Sequence, residues 1–246
     1  MSTTTVQGSS AEINLVLEMH KNFRSWAVVS LIMGGASLVA RETFDPVWGI
    51  VLIVIAVLSW KTRIPGMFAV YAVIMAWAAF SNLVSGLSGS EWWWLGLASA
   101  QIYWTIAIVR QWRKYRHLPL QELHQSGVWP ADLPPPQNET LILSRFAVIG
   151  AILAGVSLVL LPGLCIGTVV IEISAQLTET PPIMMLLMSG LLAVSVLALG
   201  LSCAALLSKT DRKGFAISGV AMSGLQLIIW IGILLLGTWS QLAGPV

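Results

Sequence analysis

The chain has 246 residues, of which 57% are hydrophobic and only 10% charged, with a mean hydropathy of +0.83. Soluble domains carry about a quarter charged residues, so a water-soluble globular protein is excluded and an integral membrane protein is expected. The formal net charge of +2 is too small to define a polyanionic partner, and the positions of the charges inform more than their sum.

Residues 1–24 are polar in MSTTTVQGSS and then amphipathic in AEINLVLEMHKNFRSW, which predicts a cytoplasmic N-terminal segment that is partly helical. It does not read as a signal peptide. The apolar run begins only near Trp26, and its end, ASLVA, puts Leu38 where cleavage requires a small residue. The first run is therefore expected to be retained.

Seven apolar runs of roughly membrane-spanning length follow, at 25–40, 46–60, 64–84, 92–109, 146–171, 183–208 and 214–238. Lipid offers the backbone no water, so such runs must be helices or barrel strands. Stretches such as GIVLIVIAVL and MMLLMSGLLAVSVLALGL lack the alternation a barrel needs. The expectation is an all-α polytopic membrane protein of seven transmembrane helices. Residues 25–109 form a four-helix part, 110–145 a cytoplasmic basic and Pro-rich linker, and 146–246 a three-helix part.

Orientation follows from charge. With the N-terminus inside, Lys21, Arg24, Lys61, Arg63, Arg110, Arg113, Lys114, Arg116, Arg145, Lys209, Arg212 and Lys213 lie on the cytoplasmic side and Arg41 alone outside. Positive loops resist translocation, so the N-in/C-out topology is predicted, in the inner (plasma) membrane if the source is bacterial. At about 1.5 Å per residue the first two runs reach only some 22 to 24 Å, against a hydrocarbon core of roughly 30 Å. Either Arg41 and Lys61 snorkel and the helices extend past their apolar limits, or the turn RETFD, with Arg41, Glu42 and Asp45, is drawn below the outer surface as a buried charged turn.

The fourth run ends in IVRQWRKYRHLPL. Arg110, Trp112, Arg113, Lys114 and Arg116 read as headgroup and topology anchors in contact with membrane lipids, with no nucleic acid as partner. Beyond them, WPADLPPPQNET cannot continue a helix. Asn138 heads a glycosylation sequon by pattern, which a cytoplasmic loop would never present to the transferase.

None of the seven runs contains an Asp, Glu, Lys, Arg or His, so proton pumping and carboxylate-based ion coupling are disfavoured. The polar side chains within them, including Asn82, Gln101 and Gln226, can be satisfied by hydrogen bonds between helices. His20, His117 and His124 lie outside the runs, so bilayer haem or chlorophyll has no obvious ligand, and no metal site or other cofactor is expected. Cys165 and Cys203 are separated in depth by roughly 20 Å along their helices, too far for a disulfide. Small residues recur at four-residue spacing, among them Gly163 with Gly167 and Gly219 with Ser223, and let helix backbones approach closely.

The last two runs enclose SKTDRKGFAISGVAMSG, in which Lys213, Gly214, Phe215, Ala216, Ile217, Ser218 and Gly219 form a Lys-Gly-x-Ala-Ile-small-Gly stretch. Over about 183–238 the chain resembles the bacterial membrane domain of unknown function 4190. That resemblance implies a helical hairpin and no known catalytic residue; the stretch itself puts small residues at the cytoplasmic start of the seventh helix, allowing tight contact with the sixth. The functional expectation is a non-catalytic structural or accessory subunit of a larger membrane complex, with other membrane subunits as partners. The alternative is a carrier or channel for a neutral or lipidic solute, lined by Asn82, Gln101 and Gln226.

Overall fold

The computed structural model describes residues 3–39, 46–87, 92–127, 129–175, 182–208 and 212–242. Among them the chain is all helical and without strands, in the order α1 (Thr3–Val39), α2 (Pro46–Thr62), α3 (Gly66–Leu87), α4 (Trp93–Tyr115), α5 (Leu120–Gln125), α6 (Glu139–Ala175), α7 (Pro182–Leu206) and α8 (Lys213–Leu242). Four helices have stretches long and apolar enough to cross a membrane: Gly66–Leu87, Glu139–Thr168, Ile183–Leu206 and Lys213–Ile233. The apolar helix Pro46–Thr62 is shorter, at 17 residues, and α1 and α4 carry charged turns at one end. Arg41, Glu42 and Asp45 lie outside the described residues.

The amphipathic segment and the first apolar run are one continuous helix, because nothing between Ala11 and Met33 breaks it: the stretch contains neither Pro nor Gly. A single buried stripe of Val16, Met19, His20, Phe23, Ala27 and Ser30 runs along it at spacings of three and four. Pro46 opens α2, a position where its missing N–H costs nothing. Asn138 caps α6: its side-chain oxygen accepts the Leu141 N–H at 3.2 Å, and Ile142 N–H bonds its carbonyl at 3.1 Å. The sequon is thus a helix start, a second use of the same residues.

The helix with the widest set of neighbours is α7, packed against α6 and α8 within its own half, and against α3 and, more lightly, α2 of the other. Gly200 makes the joint between halves. A Cβ there would meet Val70 Cγ1 at 3.3 Å and its Cα at 3.4 Å. A second close approach lies where α6, α7 and α8 converge on Ser202. A Cβ on Gly150 would press on the Ser202 hydroxyl and lie 3.0 Å from Ala198 O, and a Cβ on Gly219 would press on the same hydroxyl and lie 3.1 Å from Ala151 N. Between α1 and α2, Gly34 and Gly49 face each other, each with the other's carbonyl oxygen within 2.8 Å of a would-be Cβ. At Gly34 and Gly49 the nearest atom is backbone, which cannot rotate aside; at Gly150 and Gly219 the Ser202 side chain is nearest, with backbone atoms close behind it.

Gly219→Ala is therefore expected to lower stability by about 1–3 kcal/mol, the usual cost of overpacking. Gly163→Ala, with no atom within 4 Å of its Cβ position, should be neutral or raise stability slightly through helix propensity. Thermal unfolding of the two variants in one detergent decides it; equal effects would show that the Ser202 contact carries no weight.

Candidate functional site

Among the described residues, a cluster of polar and charged groups lies at one end of the bundle. There α1 and α4 run antiparallel and are tied by three rungs. Lys114 Nζ donates to both carboxylate oxygens of Glu18 at 2.7 Å, Asn22 Nδ2 to the Tyr115 hydroxyl at 2.8 Å, and Trp26 Nε1 to Gln111 Oε1 at 3.0 Å. Glu18, Asn22 and Trp26 are four residues apart, so they stack on one helix face. Lys114 holds the half-exposed Glu18 carboxyl below the usual carboxylate range. Tyr115 is fully buried, and burial together with the neighbouring Glu18 carboxylate pushes its phenol up to about 12. It stays neutral at any physiological pH and serves as a structural hydroxyl.

Beside this ladder, α2 ends at a residue in left-handed conformation. Arg63 has φ 48°, and its N–H bonds Ser59 O at 3.1 Å. Such a terminus normally takes Gly; here Pro65 follows and prevents the helix from continuing. Arg63 Nε donates to Trp60 O at 3.0 Å, while its Nη1 is sealed from solvent with no hydrogen-bond partner. Burial, then repulsion from Arg24, lowers the affinity of the guanidinium for its proton.

The Pro-rich linker folds back over this turn as a strap. Gln137 Nε2 donates to Lys61 O at 3.1 Å. The Trp129 indole N–H is shared between Leu133 O at 3.3 Å and Pro134 O at 3.2 Å. His20 and His124 each meet the Trp129 ring in an edge geometry, with centroids 6.0 Å apart in both pairs. Beneath the strap lies a cavity of about 50 Å3 whose lining includes His20, Lys61, Arg63, Trp129 and Gln137. His20 is only 6% exposed, with its Nδ1 hydrogen-bonded to Val16 O at 3.0 Å. Spacing could have found it, since it lies four residues after Val16 on the buried stripe.

Among the basic-run residues, Arg110, Arg113, Lys114 and Arg116 are exposed. Trp112 instead turns inward and is 8% exposed, with the Arg116 guanidinium 5.1 Å from its ring centre. Of the small residues, Gly219 makes the contact with Ser202 and Ser223 is fully buried. A Cβ on Gly167 would touch only Met184, at 3.8 Å, and Gly163 and Gly214 face open space. Within the helices, Asn82 Nδ2 donates to Gln101 Oε1 at 2.7 Å between α3 and α4, and Ser157 Oγ to Gln226 Oε1 at 2.8 Å between α6 and α8. Cys165 and Cys203 are both free thiols. Among the described residues, no three His, Cys, Asp or Glu side chains are grouped to hold a metal ion.

Comparison with known proteins finds no matching family model, no matching curated protein and no matching solved structure. The site therefore rests on its own geometry.

That geometry sets a pH dependence. Burial, opposed by the Val16 carbonyl and reinforced by Arg63 and Arg24, holds His20 below its ordinary value of 6.5. Lys61 and, across Trp129, His124 are the other titratable groups beside it. The unfolded chain then takes up a proton at a pH where the folded chain refuses it. Stability is full above about pH 6.5 and falls as pH drops through that value, levelling off only below the folded pKa. Unfolding midpoints measured across this range should decline in the wild type and decline less in His20→Leu; identical slopes would remove His20 as the cause.

Proposed function

We propose that the chain is a seven-span, N-in/C-out protein of the inner (plasma) membrane that serves as a non-catalytic accessory subunit of a larger membrane complex. The observation that carries this reading is the use made of the intramembrane polar groups. Asn82 donates to Gln101 and Ser157 to the Gln226 oxygen across helix pairs, which is how packing uses polar side chains, while Gln226 Nε2, Ser30, Ser202 and Ser223 are buried without a partner. A conduit would instead leave such groups facing a lumen.

Orientation is supported by how the helix ends converge. The Lys61–Arg63 turn and the linker share one cavity. The end of α4 is tied to α1. Leu143 of α6 and Ala204 of α7 lie beside Gly66 of α3, and Ala147, Ala205 and Ala216 cluster where α6, α7 and α8 meet. Basic residues 110–116, 145, 212 and 213 thus share an end, as positive-inside topology requires. Exposed Arg110 and Arg113 fit anionic headgroups. Lys114, paired with Glu18, and Arg116, stacked on Trp112, are less suited to a nucleic-acid face. The likeness of the last hairpin to domain of unknown function 4190 agrees with a packing role.

The uncovered Gly163, set among the exposed Val159, Leu160 and Ile166 on α6, suits a neighbouring helix. Native purification in mild detergent should recover the chain with other membrane subunits. Gly163→Leu, which meets nothing inside the chain, should reduce that recovery without lowering the unfolding midpoint. A monodisperse monomer without partners contradicts the proposal.

A further inference from the structure

Two cations line the cavity beneath the proline strap, the exposed Arg24 lies nearby, and no described carboxylate pairs with any of them. Lys61 closes α2 and Arg63 follows it; both line the 50 Å3 cavity. Arg24, one turn beyond His20 on α1, lies near enough to disfavour protonation of both Arg63 and His20. The nearby charges behave otherwise: Lys114 is held by Glu18, and Arg116 stacks on Trp112.

Arg63 Nη1 is cut off from solvent and donates to nothing, and Nε is committed to Trp60 O, so Nη2 is the guanidinium group left to meet a ligand. A charged donor left in that condition is costly, and native proteins rarely leave one unexplained. Its backbone is also held at φ 48°, in a region that a long side chain rarely occupies. Strain of this kind persists where surrounding structure enforces it and clusters at ligand sites. The remaining walls are largely apolar or donors, with the bare Nε2 of His20, whose Nδ1–H bonds Val16 O, as an acceptor among them. Trp129 and Pro134, Pro135 and Pro136 have no side-chain acceptor, and the Gln137 amide is turned as a donor toward Lys61 O. A group entering here must bring oxygen acceptors and negative charge.

Size narrows the choice. One water needs roughly 10–15 Å3 of such space, so 50 Å3 admits one tetrahedral oxyanion but not a nucleoside or a sugar. A guanidinium N–H donates a charge-assisted hydrogen bond to a phosphate oxygen, and an ammonium adds a point charge beside it. The apolar walls keep the local dielectric low and strengthen both contacts.

We propose that the cavity beneath the proline strap binds a phosphate group, with Arg63 and Lys61 as its ligands and Trp129 and His20 as its walls. The phosphate can arrive as a free anion or as the headgroup of an anionic lipid whose tails lie along the bundle. The lipid source rests on the membrane-spanning reading above, whereas the free anion does not. Neither depends on an accessory-subunit role, so a failed search for partners leaves this site standing.

The test uses the full chain and thermal unfolding at constant ionic strength. Inorganic phosphate is titrated against chloride in neutral detergent, and nanodiscs of phosphatidylcholine are compared with and without phosphatidic acid. Arg63→Gly removes the guanidinium while suiting the positive φ, so it should fold, and Lys61→Gln provides an independent second variant. Lys21→Gln, a charge loss outside the cavity, is the control. Stabilisation by inorganic phosphate, weakened roughly tenfold or more in apparent affinity by Arg63→Gly and Lys61→Gln and unchanged by Lys21→Gln, establishes a free-anion site. The same pattern with phosphatidic acid alone establishes a headgroup site. Absence of stabilisation by either probe, or stabilisation equal in Arg63→Gly and wild type, overturns the proposal.

Discussion

A polar group between apolar helices has no water to turn to, so it must find its partner inside the protein or be moved to an end. Both solutions are visible here, and a third group, including Ser202 Oγ, Ser223 Oγ and Gln226 Nε2, is buried with no partner. Asn82 finds Gln101 and Ser157 finds Gln226; Ser59, Thr105 and Ser195 bond back to the carbonyl four residues earlier on their own helices. The charged groups are displaced to the helix ends, where Glu18, Asn22 and Trp26 meet Lys114, Tyr115 and Gln111. Small residues complete the economy inside, because where α6, α7 and α8 meet at Ser202 only glycine leaves room for the neighbouring backbone.

The same constraint explains which parts of the fold are legible in the sequence. Each of the seven apolar runs falls within one helix, α1 to α4 or α6 to α8, to within one or two residues at its ends, because run length and polarity are local properties. The junction of α1 is legible in hindsight: the amphipathic stripe carrying Val16, Met19, His20 and Phe23 keeps its spacing into Ala27 and Ser30, and no residue between could end the helix. Asn138 was also legible, as an N-cap residue directly before an acidic first turn.

What local pattern does not contain is direction around the bundle. Trp26 and Trp112 look alike as interfacial aromatics, yet Trp26 reaches Gln111 across 85 positions, and Trp112 is buried against the core. Gly163 and Gly219 share one spacing rule, but a Cβ meets nothing at the first and Ser202 at the second. Trp129 sits in a linker that composition marks only as breaking helices, and its place between His20 and His124 depends on the chain returning across α1. These are non-local facts, set by which helices become neighbours. The cavity over Arg63 belongs to the same class, since its walls come from α1, the α2–α3 turn, α5 and the strap.

All of this depends on the basic ends sharing one face of a membrane that the helices cross. Replacing Cys165 and Cys203 with serine and introducing single cysteines as Asp132→Cys in the linker or Ser90→Cys between α3 and α4 allows that to be read directly with a membrane-impermeant thiol reagent. Ser90→Cys should label in intact cells and Asp132→Cys only after the membrane is opened. Labelling of both from the same side would show that α4 does not cross, and would contradict the account.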